Sequence, residues 1–288
     1  MWLINSSIGR KVVMSVTGMA LILFLTFHAS MNVVALISAE GYNWICEMLG
    51  ANWYAVAATV GLAVLVVLHF VFAAVLTLQN DRARGKDKYA VTDKPEKVEW
   101  ASQNMFVLGV IVILGMCLHL YNFWWNMMAA ELIQGEAAEN AANGVYWIVQ
   151  TFSCPIYTCI YLVWLCALWF HLTHGFWSAM QTMGWSGKLW FCRWRVIGVI
   201  YSTVIILMFA AVAVAFCCGY RPADMAEPCS DKACPATECC FEIDVVECDE
   251  KAEECCCKCE ECKCDPCECA GKEQNCKCET CECEDCNC

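Results

Sequence analysis

Short polar segments divide this chain into long apolar runs. Five of the runs, 12–38, 53–79, 105–130, 145–180 and 196–218, exceed or approach the roughly 20 helical residues that cross a bilayer. The polar segments between them are of two kinds. One kind carries Arg10 and Lys11, then Arg82, Arg84, Lys86, Lys88, Lys94 and Lys97, then Lys188, Arg193 and Arg195. The other kind, 40–52 and 131–144, contains Glu but no Lys or Arg. The two alternate along the chain. By the positive-inside rule this predicts a five-span protein with its amino terminus and its second and fourth loops in the cytoplasm and its C-terminal tail outside. The first run is too long for a signal-peptide core and is expected to remain as a span.

The composition is 60% hydrophobic, which excludes an ordinary soluble domain. The net charge of −12 belongs to one end. Residues 221–288 hold 7 basic and 20 acidic side chains, whereas residues 1–220 hold 11 and 10. The expected organisation is a membrane domain over 1–220 and an acidic, cysteine-rich tail over 221–288, with no nucleic acid among its partners.

All five histidines fall in apolar runs: His28, His69, His119, His171 and His174. A polar ring in hydrocarbon costs free energy unless it has a partner, so histidines distributed over four spans point to a bound group. Neutral imidazole is a common axial ligand of haem iron. Depth follows from a rise of about 1.5 Å per residue. His28 lies 16 residues into the first run and His119 lies 14 into the third, both on outgoing helices. His69 lies 16 residues into the second run and His171 lies 26 into the fourth, both on incoming helices. This predicts two stacked six-coordinate haems, an outer one on His28 and His119 and an inner one on His69 and His171. Two axial ligands leave no open site for oxygen, so the chemistry expected is electron transfer. His174, one turn beyond His171, stays open as an alternative ligand or as a hydrogen-bonding neighbour.

Three further patterns carry a resemblance. Ser15, Thr17 and Gly18 stand ten to thirteen residues before His28; His119 is followed by Leu120 and Tyr121; and His171 opens the run HLTHGFWSAMQTMGW, with glycines at 175 and 184. With these, residues 1–220 resemble the five-helix di-haem cytochrome b anchor of succinate dehydrogenases and fumarate reductases. The family's ligand stands four residues before the first glycine and thirteen before the second, which favours His171 over His174.

The resemblance implies an all-α, five-helix transmembrane bundle enclosing two haems b in a bacterial cytoplasmic membrane. It implies a flavoprotein subunit and an iron–sulfur subunit docked on the cytoplasmic face, and menaquinone as the quinone substrate. Both directions of the dicarboxylate reaction stay open. A Glu after the first helix would act as proton acceptor for quinol; Glu47 is the first candidate and Glu40 the second. Ser15 is a candidate haem neighbour, and Lys11, Arg82, Arg193 and Arg195 are candidate partners for haem propionates. Some relatives carry a Glu two residues before the fourth-helix ligand. Trp169 stands there in this chain, so no proton route is expected at that position.

From Cys229 the character changes: 19 of the 27 cysteines fall in the last 60 residues, and Phe241 is the only aromatic residue among them. Such a segment cannot bury an apolar core and is expected to be disordered unless metal or disulfides organise it. Cys257, Cys259, Cys262, Cys264, Cys267 and Cys269 have successive spacings 2, 3, 2, 3, 2, which Cys276, Cys278, Cys281, Cys283, Cys286 and Cys288 repeat. The spacing resembles that of metallothioneins, whose thiolates share zinc or copper(I). An oxidising outer compartment would favour disulfides instead, and a free-thiol tail and an iron–sulfur site are further readings of the same cysteines. Two other functions therefore stand beside the first: a membrane-anchored metal-binding protein acting through its tail, and another di-haem cytochrome b, serving a hydrogenase or formate dehydrogenase.

Overall fold

The computed structural model describes residues 6–84 and 100–225, and every regular element among them is helical. In chain order these are α1 (Ser7–Val34), α2 (Ala39–Met48), α3 (Trp53–Arg84), the single turn α4 (Trp100–Gln103), α5 (Met105–His119), a π-helical segment (Leu120–Ala129), α6 (Ala130–Gln134), a 3-10 turn (Gly135–Ala137), α7 (Gly144–Phe152), α8 (Pro155–Thr182) and α9 (Lys188–Cys217). Five stretches are long and apolar enough to cross a membrane: α1, α3, the composite span Met105–Gln134, α8 and α9. Lys86, Lys88, Lys94, Lys97 and the twelve patterned cysteines of the tail lie outside the described residues.

The fourth predicted run needs correction. At 36 residues it would be about 54 Å long as one helix, far more than the hydrocarbon core of roughly 30 Å. Pro155 has no backbone N–H to continue a helix but suits a first turn. The chain therefore breaks at Ser153–Cys154, leaving α7 as a separate short helix and starting α8 at Pro155. His171 is then 16 residues into α8 rather than 26, the same count that separates His69 from Trp53. The first run is displaced: α1 starts at Ser7 and ends at Val34, and the following polar segment contains the helix α2.

α1 and α8 form the centre. α8 packs on α1, α5 and α9, while α3 leans on α1 and barely meets α5. The ends differ in charge. Arg10, Lys11, Arg82, Lys188, Arg193 and Arg195 mark a basic end, and α2 and α7 lie across the opposite, acidic end. There Asn43 donates to the Asn143 side chain at 3.0 Å and accepts the Val145 N–H at 3.0 Å. Glu131 accepts the Ala51 N–H at 3.0 Å.

Residues after α9 belong to this acidic end. The Tyr220 hydroxyl donates to the Leu36 carbonyl at 2.7 Å. The Asp224 carboxylate accepts from the Ser38 hydroxyl at 2.6 Å and from the N–H groups of Ala39 and Glu40 at 2.8 and 3.0 Å. It thereby satisfies donors at the α2 start that no intrahelical carbonyl can reach. These bonds, the Ser38 hydroxyl first, hold its pKa down at about 2. Nearby, burial pushes the Cys46 thiol up to about 11.

Candidate functional site

Four helices bring four of the five histidines together in two pairs. His28 of α1 faces His119 of α5, with ring centroids 5.8 Å apart and planes at 76°. His69 of α3 faces His171 of α8 at 6.4 Å and 71°. All four rings are half-buried.

The pairs occupy two levels, and three helices fix the distance between them. On α1, Thr17 touches His69 while His28 stands eleven residues later, three turns on and about 16 Å along the same face. On α5, Gly109 lies under His171, and His119 stands ten residues, or about 15 Å, beyond it. On α8, Trp164 stacks on His119, seven residues before His171.

The pairing fits a haem better than a metal ion held by protein alone. Among the described residues no three of His, Cys, Asp and Glu converge as a metal-ion site. Each level offers two imidazoles, as an axially ligated macrocycle requires and a tetrahedral zinc site does not. The His171 Nδ1 is buried and has no hydrogen-bond partner among the described residues.

The surroundings of the rings differ. Around the His28–His119 pair they are mainly aromatic. Phe24 stacks on His28 at 5.4 Å, and Phe123 and Trp164 lie 5.1 and 5.9 Å from His119. The Trp164 indole donates to the Val112 carbonyl at 3.0 Å and covers Gly115, where a β-carbon would overlap its ring. Asn32 donates to the His28 carbonyl at 2.8 Å, with its amide nitrogen 3.4 Å from His28 Nδ1. Around the other pair, His69 Nδ1 lies 3.1 Å from Thr17 Oγ1, and a β-carbon on Gly18 would stand 3.2 Å from His69 Cε1.

Other candidates fall elsewhere. His174 packs edge-on against Trp177 at 4.8 Å. Ser15 is buried on α1. Glu47 and Glu40 are exposed on α2, and neither side chain has a hydrogen bond or ion pair among the described residues. Lys11 and Arg82 are exposed at the basic end. Arg193 lies over Trp190 at 5.2 Å, and Arg195 lies over Trp177 at 6.0 Å. Trp169 donates to Thr203 of α9 at 3.0 Å, fastening α8 to α9.

Sequence reasoning missed Asn32, Trp164 and Gly115. Asn32 was the accessible one, because its place four residues after His28 puts it over the same helix face.

No family model, curated protein or solved structure matches this chain.

Proposed function

We propose that this chain is the membrane cytochrome b subunit of a succinate dehydrogenase or fumarate reductase, holding one haem b between His28 and His119 and another between His69 and His171. The observation that carries the reading is the pair of facing imidazoles at each of two levels, drawn from four different helices. When bound, haem supplies reversible one-electron chemistry, while the protein sets its position and surroundings. The two histidines of each level would hold the group within the apolar bundle. The roughly 15 Å separation of the levels, set by helical rise, extends the path along the membrane normal.

The basic end, with Arg10, Lys11, Arg82, Lys188, Arg193 and Arg195, would face the cytoplasm of a bacterium, where the iron–sulfur and flavoprotein subunits dock. At the acidic end, Glu47 would exchange the proton that accompanies menaquinone turnover. Pyridine haemochrome assay of the purified protein should give two haems b per chain; a folded preparation supplied with haem that contains none overturns the reading. Copurification of a flavin-bearing subunit separates it from the cytochromes of hydrogenases and formate dehydrogenases.

The repeated cysteine spacing of the tail favours a second reading, in which thiolates at Cys257–Cys269 and Cys276–Cys288 hold zinc or copper(I) and the helices serve as an anchor. Metal content and function after removal of 229–288 decide between the two.

A further inference from the structure

We propose that the Thr17 hydroxyl is the positioning group that fixes the tautomer of His69 and tunes the potential of the haem it would hold, an assignment that rests on the haem reading above. Thr17 Oγ1 has one proton and three acceptors in reach, the carbonyls of Val13 and Met14 at 2.9 and 3.0 Å and His69 Nδ1 at 3.1 Å, and the assignment gives that proton to the nearer carbonyls of its own helix. With its proton on the helix, the same oxygen accepts from His69 Nδ1. Nδ1 therefore carries the imidazole proton, and the lone pair on Nε2 is free, as metal ligation by that nitrogen requires.

Gly18 completes the seat. With no side chain there, the His69 ring lies against the α1 backbone, 3.2 Å from where a β-carbon would stand. The facing ring has no such contact among the described residues, where the buried His171 Nδ1 meets no hydrogen-bond partner. Among the described residues, one ligand of the pair is thus polarised by acceptors, the Thr17 hydroxyl and the Met14 carbonyl, and the other is not. An acceptor on Nδ1–H makes the imidazole more basic; a more basic ligand favours ferric over ferrous iron and lowers the potential. Removing the hydroxyl should raise it.

The test is a redox titration of the two haems in the full-length chain within its purified complex, comparing wild type with Thr17→Val and Thr17→Ser. Thr17→Val should move one potential to a more positive value and leave the other unchanged, and Thr17→Ser, which keeps the acceptor, should retain both wild-type values. If Thr17→Val does not keep two haems, Thr17→Ala is measured in its place; loss of one haem from both, with two retained in Thr17→Ser, assigns the same role to the hydroxyl. Unchanged potentials, a shift to more negative values, or an equal shift in Thr17→Ser overturns the assignment. With two haems in the wild type, those outcomes remove only the role of Thr17. Absence of haem from the wild type removes the proposed function itself.

Discussion

Trp164 of α8 lies across Gly115 of α5 so closely that a β-carbon at 115 would overlap the indole ring. The same indole stacks on His119 and donates to the Val112 carbonyl. One absent side chain thus lets two helices approach and sets a wall of the His28–His119 level. Gly115→Ala should lower stability by about 1–3 kcal/mol, the usual cost of overpacking. A lower melting temperature together with a disturbed spectrum of a single haem is the expected result; an unchanged protein would mean that Trp164 moves aside freely.

Removing one histidine of a pair should cost that level its haem and spare the other. His28→Ala and His119→Ala should each reduce two haems per chain to one, as should His69→Ala and His171→Ala, with a different haem spectrum remaining. His174→Ala should keep both, because its ring packs on Trp177 rather than on a facing histidine.

Asp224 should make the cap of α2 sensitive to strong acid. Its pKa in the folded chain, about 2, is below the usual 3.8, so the stability it contributes is fully present above about pH 4 and is lost as the pH falls through about 2. Hydrogen exchange at the Ala39 and Glu40 amides, corrected for intrinsic rate, should accelerate across that window. In Asp224→Asn it should already be fast at neutral pH, with little further change on acidification.

Glu47→Gln should slow quinone turnover at least tenfold while leaving both haems bound, since general acid–base groups contribute about 100- to 10,000-fold. Haem content is measured alongside the steady-state rate, and normal turnover removes Glu47 from the mechanism.

Deletion of residues 229–288 should preserve both haems and quinone activity. Loss of function with both haems retained would move the working part of the protein to the cysteines.

The five spans were legible in the sequence because a bilayer imposes length and apolarity together. The proximity of His69 to His171 was legible too, although the depth behind it was counted from the wrong start. α7 is as apolar as the helix it precedes, so hydrophobicity alone merges the two, and only Pro155 marks the joint. The π-helical winding after His119 was not legible, since it changes hydrogen-bond register without changing the kinds of residue used. Trp164 was hidden for a different reason: an aromatic residue in a span reads as lipid-facing until the glycine opposite it is known. Thr17 stood beside Gly18 in a recognised pattern, yet its contact with His69 joins positions 52 apart and requires the fold.

α1, α5 and α8 each serve both histidine levels, so the gap between the levels is written into covalent chain length and hydrogen-bonded helical rise rather than into contacts between neighbouring helices. Side-chain repacking or a change of tilt can alter how the rings meet within a level, but the gap itself behaves as the length of a rod. If the two levels hold haems as proposed, an electron crossing the gap would meet a tunnelling barrier of nearly constant width, and its rate would respond to driving force far more than to thermal breathing of the bundle.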